Sequence, residues 1–141
     1  MGVIYSIWPW RAYCFIGPGE EENVIVRWMR REEVPVSERQ SLWNRLALLE
    51  EVGPDALPGL IAPLKGDFHV MSIRTNGSSP ALRPILCFGP FSEQEITLLM
   101  GAPIEYGILG PTDVLPVARH NLEVLKKGKR ERRVRYEKRS I

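Results

Sequence analysis

Histidine and cysteine are scarce in this chain, at two residues each among 141. His69 and His120 are too few for a histidine-rich metal centre, and Cys14 and Cys87 lie far apart rather than in a CxxC pair. HExxH is missing too, so no metal or other cofactor is implied. The absence of GxxxxGK[ST] excludes a Walker-type phosphate cradle, and glycines never fall in a GxGxxG pattern. No GxSxG nucleophile elbow occurs. No apolar run approaches the ~20 residues that a membrane helix needs, and the N-terminus lacks the basic stretch and clean apolar run of a signal peptide. These absences predict a reduced cytoplasmic protein that uses no membrane, with both thiols serving as small buried hydrophobes.

What is present is ordinary in amount and uneven in placement. Hydrophobic residues make up 44% and charged residues 26%, which are globular values and argue against disorder in the body. The length suits one domain. The net charge of +2 conceals two halves of opposite sign. Residues 126–141 carry nine Lys/Arg against Glu131 and Glu137, while the preceding 125 residues are net acidic. A mildly acidic body with a basic end is a signature of nucleic-acid contact. A solvated end that aids solubility is the alternative. The division that follows is a domain over 1–127, with an atypical strand region at 1–29, and a basic tail over 128–141.

Residues 3–16 are β-branched and aromatic but hold Pro9, so they predict an edge strand or two short pieces. After the turn at 17–23, residues 24–29 (VIVRWM) predict a strand. Residues 36–52 predict a helix, with Ser37 as N-cap and Gln40 completing a capping box. Leu42, Leu46, Leu49 and Val52 recur at helical spacing beside Trp43, and Gly53-Pro54 stops the helix. Residues 55–64 predict an apolar connector with one helical turn, broken by Pro58 and Pro63. Strands are expected over 67–75, 82–88 and 96–103 as a meander, the last buried on both faces. Pro84 argues against unbroken pairing early in the second of them. The segment 112–133 predicts a helix capped by Thr112, with Val117, Leu122 and Leu125 on its apolar side and Gly128 at its end.

With other chemistries set aside, positioned cations remain. Arg74 and Arg83 flank the 76–80 turn and would face one another across a hairpin. Two guanidiniums there can grip a phosphate and stabilise a charged transition state. Lys65 and His69 lie one strand length away, and His69 is of the type that acts as acid or base. The plain alternative is a pair of exposed strand-end arginines, a loop lysine and a surface histidine.

The order of pieces adds a resemblance. LLEEVGP ends one helix, LKG precedes FHVMSIR, and RPILCFGP leads to ITLLMGA and a helix containing ARHNLEVLKKG. Over roughly residues 24–127 this resembles the RelE/HigB toxins of toxin–antitoxin systems, in particular their phage-derived branch. The resemblance implies an α+β fold, a curved antiparallel sheet of about four to five strands with helices packed on one side. It implies metal-independent cleavage of messenger RNA on the ribosome, and neutralisation by an antitoxin protein. Lys65, Arg74 and Arg83 match the family's phosphate-holding cations, with His69 a looser match as base. Tyr106 would take an aromatic role in proton handling or stacking. Lys126, Lys127, Lys129, Arg130, Arg132 and Arg133 are the expected RNA-binding residues. The chain departs from the family where a lysine pair precedes Thr-Pro, since Ile104 and Glu105 stand there. A non-catalytic relative that binds nucleic acid or protein stays open, as does a ParE-like toxin acting on a topoisomerase. The oligomeric state is not legible.

Overall fold

The computed structural model describes residues 10–53, 61–64, 67–73, 82–92, 94–105, 108–109, 114–128 and 132–135. In chain order the elements are β1 (Arg11–Phe15), α1 (Val24–Arg31), α2 (Val36–Val52), β2 (Ile61–Leu64), β3 (Asp67–Ile73), β4 (Leu82–Phe88), β5 (Glu95–Glu105), β6 (Ile108–Leu109), α3 (Val114–Gly128) and β7 (Arg133–Arg135). The fold is α+β. Its sheet runs β2-β3-β4-β5-β1-β7, with β6 paired to the end of β5. Pairing is antiparallel from β2 through β5 and becomes mixed where β1 joins β5 in parallel.

Residues 24–29 form a helix rather than the expected strand. Val24, Ile25 and Val26 favour strands by their β-branching, but Asn23 accepts hydrogen bonds from the N–H groups of Ile25 and Val26 and so caps a helix start. Such a cap contributes about 1 kcal/mol. Ile25, Trp28 and Met29 then fall on one buried stripe. Packing along that stripe overrides the local propensity. Helix α2 spans the predicted residues, yet its N-cap is Pro35, which offers no side-chain bond. Ser37 and Gln40 therefore lie inside the helix and form no capping box. The Pro35 carbonyl accepts from the N–H groups of Glu38 and Arg39, starting the helix earlier than the Ser37 signal suggested. Gly53 ends it at φ +57°, in the left-handed region that glycine favours.

Two further corrections concern strands. Residues 61–64 are a strand and not part of a helical turn; β2 is the outer strand of the sheet, where Pro63 and a register shift beside it are tolerated. Strand β1 is not an edge, because β5 and β7 flank it. Its five residues contain no proline, and Pro9 lies outside the described residues. Pro84 is buried and faces Gly101 within the β4–β5 pairing, which shifts register just after it, between Ile85 and Leu86.

Alternation along the strands divides the core. Ala12, Cys14, Met71, Ile73, Leu86, Ile96 and Leu98 pack with α1 and α2, which lie together on one side of the sheet. Strand residues at alternate positions, Val70 and Ile85, meet Val114 and Ala118 of α3. Phe15, Cys87 and Leu99 meet Leu122 and Leu125 farther along the same helix. Asn121 fixes the rotation of α3 by donating to the Leu99 carbonyl at 2.9 Å. Val117, expected on the apolar side, is 37% exposed. Ile96, Thr97, Leu98 and Leu99 are all buried, as the apolar run predicted. Both cysteines are buried free thiols, and burial pushes Cys87 up to about 12 and Cys14 higher still. Neither is a nucleophile at neutral pH. No helix among the described residues is long and apolar enough to cross a membrane.

Candidate nucleic-acid interface

Of the expected catalytic residues, Lys65, Arg74 and Tyr106 lie outside the described residues. His69 is exposed on β3. Arg83 lies in β4, with its backbone opposite Ala102 of β5. The register of β3 and β4 aligns Met71 with Leu86 and Ser72 with Ile85. His69 is therefore two residues beyond this pairing in one direction and Arg83 two residues beyond it in the other. At about 3.3 Å per residue the two backbones are on the order of 16 Å apart along the strands. One phosphate group cannot sit directly against both backbones. Arg83 shares its end of the sheet with the last residues of β5, where Ile104 and Glu105 turn back against β6.

The expected RNA-binding residues separate into two groups. Lys126 and Lys127 are exposed on the last turn of α3, whereas Lys129 and Arg130 lie outside the described residues. Arg132 and Arg133 belong to the body. Arg132 donates to the Gly17 carbonyl at 3.2 Å, and its own carbonyl accepts from Ile16 N–H. β7 then pairs antiparallel with β1, Phe15 opposite Arg133 and Tyr13 opposite Arg135.

Arg133 is the most enclosed of these cations, with its side chain 4% exposed. Its two terminal nitrogens donate to the two oxygens of Glu95 at 2.7 and 2.9 Å. The guanidinium lies 3.8 Å from the Tyr13 ring centroid and 4.8 Å from that of Phe91. Such a planar, bidentate and stacked site suits arginine and not lysine. Arg135 donates to the Glu50 carboxylate and to the Ala12 carbonyl. The same Glu50 carboxylate accepts from Ala12 N–H at 2.8 Å. One glutamate on α2 thus holds β1 and β7 together. Glu50, Glu95 and Tyr13 were not singled out from the sequence. The usable signal was the Arg-Val-Arg alternation, which has the two-residue period of a strand.

The Glu95 pair makes stability depend on acid. Burial resists ionisation of Glu95 and is the largest single influence. The hydrogen bond from Arg133, those from Ser92 and the Arg133 charge together outweigh it, holding the carboxyl below its usual range. A depressed folded value means that the stabilisation is complete above the unfolded value and is lost as pH falls through the folded one. The urea midpoint should therefore fall on acidification below the ordinary carboxylate range, and Glu95→Gln should flatten that part of the profile. Parallel profiles for the two proteins would contradict this.

The exposed cations of α1 are balanced locally. Arg27 pairs with Glu20 at 2.8 Å, Arg30 with Glu22, and Arg31 with Glu32 at 3.6 Å. On α3, Lys126 lies 3.6 Å from Glu123, a looser pair one turn apart. An open trough of about 450 Å³ along α2 is lined by Ser37, Gln40, Ser41, Asn44, Arg45 and Leu48, a mixed polar and apolar lining with a single cation. Comparison with family models, curated proteins and solved structures finds no match.

Proposed function

We propose that this protein is a cytoplasmic, metal-independent endoribonuclease that cuts messenger RNA on the ribosome and is held in check by an antitoxin protein. The observation that supports this reading most is the shared sheet end of Arg83 and the close of β5. Parts of the segments that carry the resemblance, RPILCF and ITLLMGA, pair there along β4 and β5. In the proposed reaction the RNA 2′-hydroxyl gives its proton to solvent as its oxygen bonds to the adjacent phosphorus, and the bond from phosphorus to the 5′-oxygen breaks as that oxygen takes a proton back. A 2′,3′-cyclic phosphate and a 5′-hydroxyl result. The charge that develops on the phosphoryl oxygens needs preorganised cationic donors. Arg83 is assigned that role, with Lys65 and Arg74 as its partners and Tyr106 in an aromatic role of proton handling or stacking. His69 is left out of this group, because its strand position is at the far end of the β3–β4 pair.

Arg83→Ala is expected to slow cleavage by about 10²–10³-fold, the cost typical of removing one transition-state donor. Induced expression of the wild type should arrest growth and generate new messenger RNA ends. The variant, with an unchanged melting temperature, should do neither. Arrest of equal strength from both proteins would contradict the assignment.

A second reading has one observation in its favour. Glu105 is paired with Ile108 at the close of β5, where the resembling family carries lysines. An acidic residue there repels phosphate and suits a non-catalytic module that binds RNA or a protein. Normal growth and intact messages during expression of folded wild-type protein would favour it.

A further inference from the structure

The expected basic tail does not supply all of its cations to a partner. Arg133 and Arg135 are engaged with Glu95 and Glu50, and Arg132 with a backbone carbonyl. The cations of α1 face acids on their own or adjoining segments. Among the described residues, Arg11 lies on β1 and Arg39 and Arg45 on α2, while the outer side of α3 gathers exposed charges within about two turns. Arg119, His120, Glu123, Lys126 and Lys127 are all exposed. Their spacing of three, four and seven residues puts them on one stripe. From Arg119 to Lys126 the stripe runs two turns, roughly 10 Å. Its direction is fixed, because Val114, Ala118, Leu122 and Leu125 are buried on the opposite side and Asn121 is bonded to β5. Glu123 offsets one charge, and two neighbouring lysines at the helix end still leave the stripe cationic.

We propose that this stripe of α3 is the surface on which the phosphate backbone of single-stranded RNA docks, with Lys126 and Lys127 as its principal contacts. Exposed lysines suit this role, because they meet phosphates as point charges and track a backbone without reading sequence. The assignment separates two jobs that a single basic tail would have combined. β7 closes the sheet, and α3 meets the polyanion. It rests on RNA being the ligand, as in the proposed function, but not on cleavage.

The test uses the full chain and a mixed-sequence oligoribonucleotide carrying 2′-O-methyl groups. That probe has no free 2′-hydroxyl and cannot be cut by the proposed reaction, so binding is read apart from catalysis. Lys126→Gln/Lys127→Gln should weaken binding at low salt. It should also lower the slope of log affinity against log salt by about 1.4, at ~0.7 for each phosphate of a single strand that is no longer neutralised. Thermal melting, as a control, should match the wild type because both side chains are exposed. Slope and affinity equal to the wild type would overturn the proposal, as would failure of the wild type to bind the probe. α3-dependent binding without cleavage of ordinary RNA would leave this surface standing and overturn only the nuclease reading.

Discussion

Arg133→Ala should lower the stability of the fold by about 3–5 kcal/mol, the cost typical of removing one partner from a buried ion pair. Its side chain is 4% exposed and that of Glu95 9%, so neither charge can turn to water without moving the strand. Removing the guanidinium strands the carboxylate in the interior and strips two aromatic rings of their shared neighbour. Arg133→Lys should recover little, since a point charge cannot make the bidentate contact or lie flat between rings. Val134→Ala, one residue along and 42% exposed, should change stability by less than about 0.5 kcal/mol. Urea unfolding followed by circular dichroism provides the readout. A loss below about 1 kcal/mol for Arg133→Ala would mean that β7 is not held by this pair.

Gly101→Ala should cost about 1–3 kcal/mol or more, although it adds a single methyl group. A Cβ at residue 101 would lie 1.8 Å from the Trp28 indole, which is itself buried in the core. Trp28 cannot yield easily, because α1 packs directly on β5 through it. The strand is also constrained from its other side, where Gly101 faces Pro84. Pairing Gly101→Ala with Trp28→Leu should give a double variant whose loss is smaller than the sum of the two single losses, since the shorter side chain makes room for the methyl. Strict additivity in thermal melts would contradict the close approach.

These two sites show what the amino-acid order reveals unaided. The span of α2 was legible because Leu42, Leu46 and Leu49 keep helical spacing and Gly53 stops them, but its cap was not, since Pro35 and not Ser37 opens it. The β3–β4–β5 meander was legible from apolar runs separated by turn residues. α1 was not, because its three β-branched residues mimic a strand until Asn23 is seen to cap them. β7 was hidden by its charge. A run of arginines reads as solvated surface, and nothing nearby in sequence announces that Glu50 and Glu95, from α2 and β5, will neutralise it. The pairing of Arg133 with Glu95 spans 38 residues, beyond the reach of any local pattern. The proposed site is legible in part. The sequence put Arg83 at the opening of a strand, where β4 has it, and grouped His69 with it on residue type and a looser family match, while the neighbourhood of Arg83 and the end of β5 came only with the strand register.

The chemistry of the cut ends tests the central claim most directly. Messenger RNA recovered from cells expressing the wild type should carry 2′,3′-cyclic or derived 3′-phosphates on the upstream fragments and 5′-hydroxyls on the downstream ones. Both should be lost with Arg83→Ala. Fragments ending in 3′-hydroxyl and 5′-phosphate, or ends that persist unchanged in the variant, would contradict a nuclease that works by 2′-hydroxyl attack at Arg83.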